Sequence, residues 1–154
     1  VRCPGARQGG RRAACISPLV DPRCTKMHNP PAGDPMLNTD WLIQAQSLSS
    51  PTEGELTEDI VLSSGLSPLD MDLSVLPPLL LQVGEDEMLR DDSLRLAEAA
   101  QQAGVKVQLE RYPGLWHVFH FHTGVLKQSD FALGRMADFL KNQAQSQPSA
   151  EHRA

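Results

Sequence analysis

Leu76-Pro77-Pro78-Leu79-Leu80-Leu81-Gln82-Val83-Gly84-Glu85-Asp86-Glu87 is the stretch whose reading decides the fold. Its centre, Leu79 to Val83, is an apolar run with one polar member, Gln82, bounded by Pro77-Pro78 before and Gly84 after. A run of this length without polar alternation reads as a parallel strand covered on both faces. Downstream, Asp91-Asp92-Ser93 offers a cap to a helix carrying Leu94, Leu96, Ala97, Ala100 and Ala103, and Gly104 stops it. Val105, Val107 and Leu109 then alternate with Lys106, Gln108 and Glu110, which predicts a strand over 105–112, closed by Tyr112-Pro113-Gly114. Ser129-Asp130 is expected to cap a last helix, running to 141, with Ala132, Met136, Phe139 and Leu140 along one face. Strand, helix, strand, helix from 79 to 141 is an α/β layout with parallel strands and right-handed crossovers.

Upstream the signals are sparser. Ala13-Ala14-Cys15-Ile16 is a short apolar run ended by Ser17-Pro18, which predicts a third strand over 13–16. Residues 21–35 hold Asp21-Pro22, Pro30-Pro31 and Asp34-Pro35 and read as a long loop. Asn38-Thr39-Asp40 before Trp41-Leu42-Ile43 predicts a helix from about 39 to 48. A short helix is expected at Thr57 to Ser63, within a Ser-, Glu- and Thr-rich surface loop. Residues 1–12 offer no clear element, and the polar tail from 142 to 154 reads as disordered.

The chain has 154 residues, 40% apolar and 21% charged, a mix that excludes a disordered acidic segment. Its longest apolar stretch, Val75 to Val83, is interrupted by prolines and is far short of a membrane span. The net charge of −5 argues against binding a nucleic-acid backbone. That charge is uneven: residues 1–26 hold six bases against one acid, and the remainder eight bases against eighteen acids. The basic head lacks an aromatic or apolar face and reads as a solvated terminus. Three cysteines, Cys3, Cys15 and Cys24, without CxxC spacing, give neither a disulfide framework nor a zinc site, and Cys15 reads as a small buried apolar residue. No signal peptide is visible, which sets a cytoplasmic expectation.

In parallel α/β sheets, reacting groups sit just past the carboxyl ends of the strands. Past Val83 come Gly84, Glu85, Asp86 and Glu87; past Tyr112 come Gly114, Leu115, Trp116 and His117. An acid after one strand and a histidine after the next is the acid–base part of a hydrolase triad. The carboxylate would hold the imidazole in one tautomer and stabilise the imidazolium formed when His117 accepts a proton. Asp86 is the expected acid, with Glu85 and Glu87 as rivals set aside on register.

The segment 76–87, followed by Asp91-Asp92-Ser93, Ala103-Gly104-Val105 and Gly114-Leu115-Trp116-His117-Val118-Phe119, closely resembles the C-terminal part of the hormone-sensitive-lipase-like α/β-hydrolases, which are carboxylesterases. Ile16-Ser17-Pro18-Leu19-Val20-Asp21 and Asp34-Pro35-Met36-Leu37 are similar to the family's strand and cap segment after the nucleophile helix. The resemblance covers about residues 13–141, with about 22–75 as cap and loop. The order and spacing of the pieces are specific, including the 31 residues from Asp86 to His117. It implies a partial α/β-hydrolase fold acting on small esters without a cofactor, in which Asp86 orients His117. His117 would then serve as general base toward a serine and as general acid toward the leaving alcohol.

The family's nucleophilic serine lies in a G-x-S-x-G elbow, and its oxyanion hole in a His-Gly-Gly-Gly motif. No serine in this chain has glycines at both those positions, and Gly9-Gly10 has no preceding histidine. The chain therefore reads as a C-terminal half, inactive alone, with residues 1–12 a remnant of the nucleophile helix. The alternative is a non-catalytic interaction protein. It would pair, or self-associate, through the edge of strand 13–16 that the family covers with the nucleophile strand. His117, His120 and His122 form H-x-x-H-x-H, yet alternate residues of an extended segment diverge and no carboxylate completes a set, so no metal is expected. Trp116, Phe119 and Trp41 are expected to pack in the core.

Overall fold

A computed structural model describes residues 11–49 and 67–141. The expected helix at Thr57 to Ser63, most of the 1–12 segment and the 142–154 tail lie outside the described residues. Three parallel strands form one sheet in the order β1-β2-β3: β1 (Ala13–Ile16), β2 (Leu79–Gly84) and β3 (Val107–Tyr112). Ala13 aligns with Leu79, and Leu79 with Val107. Helix α1 (Thr39–Ser49) falls between β1 and β2, α2 (Arg90–Gln102) between β2 and β3, and α3 (Lys127–Lys141) after β3.

Every residue of β2 is buried, as its apolar run requires of a central strand. Its alternation divides the molecule. Leu79 and Leu81 face a core with Val20, Leu73, Leu96, Ala97, Ala100 and Val105, so α2 covers that side. Gln82 faces the opposite side, where its Nε2 donates to the Ala132 carbonyl of α3 at 2.8 Å. A smaller core of Leu115, Phe119 and Ala132 closes that side.

The boundaries depart from expectation for local reasons. β3 begins at Val107 because the Val105 N–H still closes the end of α2, donating to the Ala100 carbonyl at 2.9 Å after Gly104 turns at positive φ. Asp92 lies inside α2 instead of capping it. Its Oδ2 accepts the Val20 N–H at 2.8 Å and the Asp21 N–H at 3.0 Å, tying the loop after β1 to the helix. Burial raises the Asp92 carboxyl above its ordinary range, against the lowering effect of those two N–H groups and of Arg95. Ser129 and Asp130 likewise sit inside the first turn of α3: Ser129 Oγ donates to the Phe119 carbonyl, and Asp130 accepts the Gly124 N–H. Asn38 does cap α1, its Oδ1 accepting the Trp41 N–H at 2.9 Å. Trp41, expected in the core, is exposed, because Leu42 is the residue of that turn facing inward. Leu140 is exposed too, while Ala132 is fully buried. Cys15 is half-buried against the α2-side core.

Candidate functional site

The site begins at the carboxyl end of β2. Gly84 has no room for a side chain: a Cβ there would overlap the Leu115 carbonyl. This close approach seats the loop after β3 on the end of β2. Two hydrogen bonds extend the contact, Glu85 N–H to the Tyr112 carbonyl at 3.0 Å and Asp86 N–H to the Leu115 carbonyl at 2.9 Å. The chain then turns through Glu85 and Asp86, which leaves both side chains outside the buried face. Glu85 pairs with Arg111 at 2.6 Å near the surface.

Glu87 points the other way. Its side chain is fully buried, and its Oε2 accepts two hydrogen bonds, from Ser17 Oγ at 2.8 Å and from the Gly84 N–H at 2.9 Å. Its Oε1 lies 3.6 Å from His117 Nδ1. Both of those atoms are buried, and neither has another hydrogen-bond partner. An unpaired buried acceptor facing an unpaired buried donor-capable nitrogen costs stability unless the two meet. If the gap closes to hydrogen-bond range, Nδ1–H is the donor and Nε2 keeps its lone pair free. The His117 side chain is 15% exposed, so the ring retains an opening.

The sequence expectation paired Asp86 with His117. The structure sets Glu87 there instead, because a turn of two residues after Gly84 swings Asp86 outward and brings the third side chain back over the strand end. Among the described residues, the Asp86 carboxylate accepts no hydrogen bond. The spacing Gly84-x-x-Glu87 was the available signal, since it lets a carboxylate reach back to the glycine N–H. Ser17 carried no comparable signal, because its approach to Glu87 spans 70 residues of sequence.

The other two histidines of the H-x-x-H-x-H run have partners of their own. Val118 adopts a left-handed conformation at φ 46°, and a 3-10 turn follows over Phe119–His122. His120 is buried, with Nε2 3.1 Å from Gln82 Oε1, and burial pushes its pKa down to about 4. His122 lies edge-on to Trp116, with Nδ1 near the Phe119 carbonyl. Gln82, Glu110, Tyr112 and Arg135 complete a polar cluster around His120. There burial, then Glu110, raises the Tyr112 phenol above its usual range. Among the described residues, no three metal-ligating side chains converge.

Comparison with known proteins agrees with this architecture. A family model described as alpha/beta hydrolase fold matches residues 6–121. An esterase of Acinetobacter venetianus is 40% identical over 101 residues, covering 65% of this chain and 33% of that protein. An acetyl-hydrolase of Streptomyces hygroscopicus is 43% identical over 75 residues, covering 49% of this chain and 25% of that protein. Among solved structures, a hormone-sensitive lipase from a metagenome library superposes with a TM-score of 0.75 at 28% identity, covering 86% of this chain and 44% of that one. The chain belongs to the α/β-hydrolase fold family, and it is similar to a solved hormone-sensitive lipase and to a bacterial esterase. The match spans a third or less of those two relatives and under half of that solved structure.

Proposed function

We propose that this chain carries the acid–base half of a serine-type carboxylic ester hydrolase, with Glu87 as the acid and His117 as the base. The observation that carries this reading is the facing pair of otherwise unpartnered atoms, Glu87 Oε1 and His117 Nδ1. Glu87 holds Nδ1–H, so Nε2 is free to take a proton from a serine hydroxyl as it attacks an ester carbonyl. The imidazolium then returns that proton to the departing alcohol, and a second cycle with water frees the acid. Glu87 stabilises the transient imidazolium in both halves.

The nucleophile and oxyanion donors supply much of the barrier lowering in such enzymes. The 154 residues contain neither motif, so the chain by itself is expected to hydrolyse p-nitrophenyl acetate no faster than buffer. Turnover that His117→Ala abolishes would overturn that expectation. The complementary test is the intact mass of the native protein in its source cells, captured with an antibody against residues 84–117. A product about twice 16.9 kDa that hydrolyses short-chain esters, and loses that activity in both Glu87→Ala and His117→Ala but not in Asp86→Ala, supports the proposal.

A second reading rests on β1. It is a sheet edge whose outer side meets no strand among the described residues. A product near 16.9 kDa without esterase activity would favour a chain that pairs through this edge.

A further inference from the structure

The acid in the proposed site is held by a residue far from it in sequence. Ser17 follows β1 directly and is only 4% exposed. Its φ of 46° lies in the left-handed region, uncommon for a residue with a side chain. Such a conformation persists only where surrounding contacts enforce it. Here they do so at both ends. The Ser17 N–H donates to the Gln82 carbonyl at 2.9 Å, and three residues later Asp92 accepts the Val20 and Asp21 N–H groups. The loop is therefore clamped between β2 and α2, with the Ser17 hydroxyl aimed at Glu87 Oε2 at 2.8 Å.

A carboxylate has two equivalent oxygens and rotates about its last bond. Gly84 N–H alone, at 2.9 Å, leaves that rotation partly free. A second donor on the same oxygen fixes the plane. With Oε2 doubly occupied, Oε1 is the oxygen left for His117 Nδ1. We propose that Ser17 is a positioning residue: its hydroxyl fixes the rotation of the Glu87 carboxylate so that Oε1 presents to His117 Nδ1 and selects the Nδ1–H tautomer. This inference rests on the Glu87–His117 reading above and adds the residue that orients the acid.

The test reads the tautomer directly. The 154-residue chain is labelled with 15N, and long-range 1H–15N spectra of His117 are recorded at alkaline pH, where imidazoles are neutral. The wild-type ring is expected to be mainly Nδ1–H, with Nδ1 in the protonated range and Nε2 in the unprotonated one. Glu87→Gln keeps an acceptor for Ser17 and Gly84 but turns an amide donor toward Nδ1, so it should invert the tautomer to Nε2–H. Ser17→Gly accommodates the positive φ and deletes the hydroxyl together with its Cβ. It should lower the Nδ1–H to Nε2–H ratio by roughly fivefold or more, as expected for losing a hydrogen bond to a charged group. Ser17→Ala repeats the deletion with Cβ retained.

A normal Nδ1–H ratio in both folded Ser17 variants, together with inversion in Glu87→Gln, overturns the role of Ser17 and leaves the Glu87–His117 reading standing. No inversion in Glu87→Gln, or an Nε2–H wild type, overturns that reading itself and the inference with it. Loss of the dispersed folded spectrum in both Ser17 variants would assign the hydroxyl to the fold and overturn the positioning role as well.

Discussion

His117 and His120 are three residues apart and both rest against the end of β2, yet their surroundings differ in kind. His120 sits beside a cluster whose other members satisfy one another: Gln82 donates to Glu110 and to the Ala132 carbonyl, Tyr112 donates to Glu110, and Arg135 pairs with Glu110. His117 faces a single carboxylate across 3.6 Å, and the two atoms that face each other have no other partner. The first arrangement holds α3 to the sheet and engages His120 through Nε2, leaving its buried Nδ1 without a partner. The second sets an unspent nitrogen opposite an unspent carboxylate oxygen at a partly open ring. What separates the two rings is therefore the group each unspent nitrogen faces: a carboxylate oxygen without another partner lies opposite His117 alone.

The strongest blow to the comparison is Gly84→Ala, because both histidines hang from the segment seated on that glycine. The added Cβ meets the Leu115 carbonyl, which is backbone and cannot swing away. A loss of about 3 kcal/mol is expected by urea unfolding, with the spectra of both histidines displaced. Gln82→Leu should separate the two regions. It strips partners from Glu110, His120 and the Ala132 carbonyl, costs about 2 kcal/mol, and leaves the His117 tautomer unchanged.

The pH dependence sharpens the contrast further. Burial lowers the folded His120 pKa from 6.5 to about 4, so the unfolded chain binds the extra proton between those values. The stability this ring contributes is fully present above pH 6.5 and is lost as pH falls toward about 4. The loss is on the order of 1 kcal/mol once solvent screening is allowed for, and the difference in Tm between wild type and His120→Gln across that window measures it. Glu87→Gln, by contrast, keeps shape and acceptor, and should change stability by less than about 1 kcal/mol although it removes the acid. Asp86→Asn should do least: within about 0.5 kcal/mol in unfolding, and with no change at His117.

The parallel sheet was legible because β2 is buried on both faces, and a doubly buried strand must be apolar along its whole length. β1 and the helices were legible through short apolar runs and apolar periodicity. Their ends were less so. Asp92 and Ser129 look like caps in sequence, yet their side chains serve partners far along the chain or on the preceding turn, which a local pattern does not contain. Trp41 shows the same limit: a large apolar residue in a helix is expected inside, and only the neighbours decide that Leu42 takes that place.

Of the candidate site, the sequence alone determined the strand ends, the histidine and the presence of an acid one strand away, because parallel sheets place loops after their strands in a predictable order. Which acid faces the histidine was decided only in three dimensions. Glu85, Asp86 and Glu87 are chemically close to equivalent, and their separation depends on the turn after Gly84, on the Leu115 carbonyl that leaves no room for a Cβ there, and on a hydroxyl from Ser17 arriving 70 residues away. Composition and spacing specify which groups are available. The direction in which a buried carboxylate points is set by the donors that surround it, and those assemble only when the sheet does.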